Sequence, residues 1–232
     1  METNEKYPSP FVLEPPSQAG WPKRTLARIA LPLLRRFWRF PLCDRLYANA
    51  ARDSATTDEF LREILRQLEV DTDLSEPELA RLPEQGPAIV VSNHPFGGIE
   101  GLLLAEAIRT ADPHGKVMAN YLLGRVEVLR DIFILVDPFE TEQSKAANLK
   151  GMRQAIRHLK AGGILGMFPS GTVSHFQWEH RCVTDPPWSD MLARLIRRTQ
   201  ASVIPAYFGG RNGAAFQAAG MIHPKLRKIG RA

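Results

Sequence analysis

From Ala88 to Gly101 the chain reads Ala-Ile-Val-Val-Ser-Asn-His-Pro-Phe-Gly-Gly-Ile-Glu-Gly. An apolar run delivers Asn93 and His94 to a glycine-bearing turn, and an amphipathic pattern resumes at Leu102. A histidine in that place suits general-base work, because free imidazole titrates near pH 6.5 and can take a proton from a hydroxyl at neutral pH. Glu100 follows closely enough to hold the ring in one tautomer and offset the charge it gains, the role of the third member in a hydrolase triad. The backbone N–H groups of Gly97, Gly98 and Gly101, at the start of a helix, are candidate donors to an oxyanion. A solitary histidine at such a turn more often caps the helix or satisfies a loop carbonyl. The histidine, paired glycines and acid on one turn favour chemistry.

Such a turn needs a strand before it and a helix after it. The sequence predicts strands at Ala88 to Ser92, Lys116 to Ala119, Phe133 to Val136, Ile164 to Phe168 and Ser202 to Tyr207. Helices are expected over Gly101 to Thr110, Lys145 to Ala161 and Trp188 to Thr199, with a further helical stretch over 55–82 capped at Thr57. Alternating strand and helix predicts an α/β domain with a mixed, largely parallel sheet flanked by helices. In such sheets function gathers where strands end and helices begin.

Composition narrows the class of protein. At 232 residues with 44% hydrophobic and 24% charged residues, the chain has the make-up of a folded domain, not of a disordered or fibrous one. No apolar run approaches the ~20 residues of a bilayer span. Two cysteines, Cys43 and Cys182, are too few for a disulfide framework, which favours a reducing compartment. Nothing at the start reads as a signal peptide, so export is not expected.

The net charge of +5 is unevenly placed. Residues 1–20 read as a flexible leader. Within 21–50, seven cations (Lys23, Arg24, Arg28, Arg35, Arg36, Arg39 and Arg45) meet one anion, Asp44, and alternate with Leu26, Ile29, Leu33, Phe37 and Phe40 at helical spacing. A basic amphipathic helix of this kind fits an anionic bilayer surface. An ordinary surface helix packed on the core carries a similar pattern, and a nucleic-acid arm is the weaker third reading. The remainder, 55–232, reads as the α/β domain.

Several sequence blocks share a family likeness. Asn93-His94-Pro95-Phe96-Gly97-Gly98-Ile99-Glu100-Gly101 resembles the first block of the glycerolipid (lysophospholipid) acyltransferases, the PlsC-type superfamily. In particular it resembles the bacterial haemolysin-like branch that includes ornithine-lipid O-acyltransferases. Phe168-Pro169-Ser170-Gly171-Thr172-Val173-Ser174 is similar to the family's FPEGTRS block, and Val203-Ile204-Pro205-Ala206-Tyr207 to its terminal apolar-proline block. Leu129 to Pro138 is a looser match to the remaining one, so the likeness covers about residues 83–216. It implies a glycerolipid acyltransferase-like fold preceded by a membrane-associating helix. The implied activity moves a fatty acyl group from acyl-CoA or acyl-carrier protein to a lyso-lipid hydroxyl at the cytoplasmic face of the membrane. His94 would be the base and Glu100 its partner, with no cofactor beyond the acyl donor, no metal and no nucleic acid.

The departures matter as much. The usual superfamily spacing places an aspartate five positions after the histidine; here that position is Ile99, and the carboxylate is Glu100. Ser170 and Val173 replace the block's glutamate and arginine, positions the family associates with gripping a glycerol phosphate. Their loss favours another lyso-lipid, such as an amino-acid lipid. Ser170, Gly171 and Thr172 are then expected to line the acceptor side, and Arg125 and Arg211 are candidates for the missing cation, although each alone also reads as a solvated surface arginine. Ser170 lacks the flanking glycines of a nucleophile elbow. A hydrolase on the same scaffold and a catalytically degenerate membrane-binding protein remain the alternatives.

Overall fold

A computed structural model describes residues 40–70, 72–137, 142–214 and 216–217. The expected leader and most of the basic segment, residues 1–39, lie outside the described residues, as do 221–232. The chain divides into two compact units, 1–71 and 72–232. Among the described residues no helix is long and apolar enough to cross a membrane.

In the first unit, α1 (Phe40–Asp53) packs on α2 (Thr57–Gln67), with Tyr47 edge-on to Phe60 at 5.7 Å. The cap of α2 is Thr56, one residue before the expected Thr57. Its hydroxyl accepts from the Glu59 N–H while Glu59 reaches back to the Thr56 N–H, a reciprocal box that fixes the helix start. The expected helix over 55–82 is shorter than its periodicity implied. α2 ends at Gln67, and a single turn, α3 (Glu76–Leu79), begins after Ser75 in the second unit. The intervening DTDLSEP offers side chains that compete for backbone bonds, and a proline suited to a helix start.

The second unit is built on five parallel strands in the order β3-β2-β4-β1-β7: β1 (Ala88–Ser92), β2 (Lys116–Asn120), β3 (Phe133–Val136), β4 (Ile164–Met167) and β7 (Ser202–Ala206). Three helices cross between them: α4 (Ile99–Ala111), α5 (Glu142–Lys160) and α6 (Met191–Thr199). Every residue of β1 is buried, as expected for a central strand covered on both faces. On one face Ile89, Val91, Leu165 and Met167 pack with Ala155 and Leu159 of α5 and Leu195 of α6. On the other, α4 approaches β4 so closely that a Cβ at Gly166 would lie 2.8 Å from Ile108 Cδ1 and 2.9 Å from Leu104 Cδ2. The expected α/β class with a largely parallel sheet is the observed one, and the five strands fall where the apolar runs predicted them.

The hairpin of β5 (His175–Gln177) and β6 (Cys182–Thr184) is an element the sequence did not predict. At three residues per strand, in a stretch rich in tryptophan and proline, it carries too little alternation to read. Because all five main strands run in parallel, the segments after β1, β2, β3, β4 and β7 emerge at one edge of the sheet. His94, Arg125, Ser170 and Arg211 all follow strands at that carboxyl edge.

Candidate active site

The His94 ring nitrogen Nδ1 lies 3.0 Å from Glu100 Oε1. The two meet at ion-pair distance without the alignment of a straight hydrogen bond, and the carboxylate is fully buried. A buried carboxylate is costly unless its oxygens are satisfied. Glu100 Oε1 accepts from the Phe96 N–H and the Gly97 N–H, each at 2.7 Å, and Oε2 accepts from the Gly98 N–H at 3.1 Å. Gly97 makes this nest possible through φ of +103°, a left-handed conformation that glycine adopts without strain.

This arrangement redirects one expectation. The N–H groups of Gly97 and Gly98 hold Glu100, and that of Gly101 donates to Gly98 O at 3.0 Å inside the first turn of α4. The first two are therefore committed to positioning the carboxylate, and the third to the helix turn. The one-residue shift to Glu100 and its extra methylene still bring the acid onto the histidine, because the side chain folds back over its own helix start.

Burial, the largest single influence, pushes the Glu100 carboxyl up. The contact and charge of His94, with the Gly97 and Phe96 N–H groups, outweigh it and hold the pKa below 4.5. A carboxyl held lower in the folded than the unfolded chain stabilises the fold above the unfolded pKa, and that contribution is lost as pH falls through the folded value. Stability measured by urea unfolding is thus expected to drop on acidification below about pH 4.5, and to drop less in Glu100→Gln.

The rest of the site is drawn in from distant sequence. Phe168, just past β4, stacks on the His94 ring with centroids 4.4 Å apart and planes at 27°. The peptide of His94 is gripped on both sides: Ser174 N–H donates to His94 O at 2.8 Å, and His94 N–H donates to Asp185 Oδ1 at 3.1 Å. Asp185 also accepts from the Ser174 hydroxyl and, at 3.3 Å, from Trp188 Nε1. Asn93 clasps the loop after β7, donating to Phe208 O and accepting from Phe208 N–H, both at 2.8 Å. Buried Asn212 donates to Pro95 O at 3.0 Å and Phe96 O at 3.2 Å, which ties the loop bearing Arg211 to the histidine turn. Asn93→Ala leaves both Phe208 backbone groups without their partner. It is expected to cost about 1–3 kcal/mol per group left unpaired, read as a lower urea midpoint.

Ser170, Gly171 and Thr172 lie on the loop that Phe168 and Ser174 press against His94. The Ser170 hydroxyl donates to Thr172 O at 2.9 Å, so it closes its own turn, and Gly171 supplies a φ of +65° there. Arg211 and Arg125 are both exposed at the carboxyl edge. The Arg211 loop is bonded to the histidine turn through Asn212, and Arg125 ends the 3₁₀ turn Tyr121–Arg125 directly after β2. Sequence reasoning missed Asp185, Ser174 and Asn212 as supports. Asn93 and Phe168 lay inside recognised blocks but had no assigned partner.

A parallel α/β sheet with a histidine and a buried carboxylate paired on its first strand-to-helix turn defines a class of enzyme scaffold suited to proton abstraction from a hydroxyl. The family model described as "Acyltransferase" matches residues 5–226, and the chain belongs to that family. It is 28% identical over 172 residues to a lyso-glycine lipid O-acyltransferase of Bacteroides thetaiotaomicron, covering 74% of this chain and 60% of that protein. It is also 28% identical over 139 residues to a lyso-glycine lipid O-acyltransferase of Phocaeicola vulgatus, covering 60% of this chain and 47% of the relative. The chain thus spans about half to three-fifths of the length of the relatives it matches.

Proposed function

We propose that this chain transfers a fatty acyl group from an acyl thioester to the hydroxyl of a lyso-lipid. The observation that carries the reading is the 3.0 Å pairing of His94 Nδ1 with the buried Glu100 carboxylate, which leaves Nε2 as the nitrogen not committed to Glu100 on a side chain still 17% exposed. In this mechanism Nε2 removes the proton from the acceptor hydroxyl as its oxygen bonds to the thioester carbonyl carbon. Glu100, ionised and fixed by three N–H groups, offsets the positive charge that develops on the ring. The tetrahedral intermediate collapses by breaking the C–S bond, and the departing thiolate takes the proton back from the imidazolium. A thiolate leaves readily, so neither a covalent enzyme intermediate nor a cofactor is required. The Phe168 stack holds the ring and the Asp185 and Ser174 bonds hold the His94 backbone for this transfer, which is a positioning role.

The acceptor we infer is an amino-acid lipid bearing a free hydroxyl. Two lines support it: relatives named for a lyso-glycine lipid, and the absence from the 168–174 block of the glutamate and arginine tied to glycerol phosphate. Arg211, on the loop bonded to the histidine turn, is the better placed of the two arginines to meet an acceptor carboxylate or phosphate. Acyl-CoA or acyl-carrier protein would be the donor. The protein would act peripherally at the cytoplasmic face of the membrane, where such donors are available. Lipid profiling by mass spectrometry in cells with and without the protein tests this. Gain of one O-acylated lipid class with loss of its lyso form is the expected result; an unchanged lipid profile contradicts it.

A further inference from the structure

The exposed aromatic side chains of the second unit gather where the proposed reaction occurs. Tyr121 directly follows β2 and is 43% exposed, and Tyr207 directly follows β7 and is 82% exposed. Trp188 is 48% exposed, and its indole N–H rests on the same Asp185 that accepts from the His94 N–H. Trp178, 75% exposed, tops the β5–β6 hairpin, whose first strand follows directly on Ser174, the residue that donates to His94 O. Its ring is braced edge-on against Phe176 at 5.0 Å. Two crossovers and the segment after β7 therefore carry to the carboxyl edge rings that remain 43% to 82% exposed.

We propose that this rim of Trp178, Trp188, Tyr121 and Tyr207 is the surface by which the domain docks on a lipid bilayer, placing the His94 turn against the acceptor. The inference rests on the lipid-acceptor reading above and adds the face that meets the membrane. Indole and phenol rings have an apolar body and a polar tip, and they favour the headgroup zone where one end is dry and the other wet. Four rings spread over three connections form neither a continuous groove for a helix nor a free strand edge for β-pairing, whereas a broad, soft interface accepts each independently. Arg125 and Arg211, exposed on two of the same loops, match lipid phosphate or carboxylate. The site would then face its substrate in the plane from which a lyso-lipid presents its hydroxyl.

The test uses the full chain and vesicles of phosphatidylcholine with phosphatidylglycerol. In a Trp21→Phe/Trp38→Phe background, emission from Trp178 and Trp188 is expected to shift blue on vesicle addition and to be quenched by lipids carrying a shallow doxyl label. Trp178→Ala/Tyr207→Ala, at two exposed positions that cost the fold little, is expected to weaken vesicle partitioning about tenfold. It should leave turnover of a micellar short-chain lyso-lipid near the unsubstituted value. Vesicle binding with no blue shift or quenching, or partitioning unchanged in the double variant, overturns the proposal. So does burial of the same rings in a lipid-free dimer, seen by sedimentation. Because emission and partitioning need no turnover, they still decide the docking face if the acyltransferase reading fails.

Discussion

His94→Ala is expected to lower acceptor-dependent acyl transfer by about 100- to 10,000-fold, the range that a positioned general base contributes. The loss should fall on kcat with KM for the acyl donor little changed, because the ring acts on a proton in flight and not on ground-state binding. The substitution leaves Glu100 in its nest of three N–H groups, so the carboxylate stays satisfied and the protein should remain folded. Circular dichroism and a urea melt beside the rate separate lost chemistry from lost structure. Full activity in a folded His94→Ala protein would remove the histidine from the mechanism.

Glu100→Gln carries the second large effect, and it has two parts. A neutral amide cannot offset an imidazolium, and an analogous Asp→Asn change beside a catalytic histidine costs roughly 10,000-fold; a loss of at least about 100-fold in kcat is expected here. The amide also brings an N–H₂ into a pocket lined by three backbone donors, so one donor loses its acceptor and stability falls by about 1–3 kcal/mol. The diagnostic readout is kcat measured beside a urea melt: a merely structural glutamate would lower stability and leave the kcat of the folded protein unchanged.

Much of this was legible in the sequence because the informative residues are neighbours. The β1-to-α4 turn holds His94, its carboxylate and the glycines within eight residues, and β1 is a continuous apolar run that reads as a buried strand. What local reasoning could not supply was which group faces which. The glycine N–H groups read as open anion donors, yet the same turn carries Glu100, whose longer side chain folds back and takes them. Asp185 and Asn212 support the turn from 91 and 117 positions away, and no local pattern marks a polar side chain that reaches a distant backbone. The β5–β6 hairpin escaped notice for the same reason: its strands are short, and its place is fixed by Ser174 and Asp185 meeting His94, not by its own alternation.

The claim at the centre is that the His94–Glu100 pair moves an acyl group onto a lipid hydroxyl and not onto water. The most direct measurement follows thiol release and lipid product together, with purified full-length protein, a long-chain acyl thioester and a lyso-glycine lipid in mixed micelles. The expected result is thiol release that depends on the lyso-lipid, matched mole for mole by its O-acylated product. Thiol release at the same rate without the lyso-lipid, with free fatty acid as the product, would contradict it.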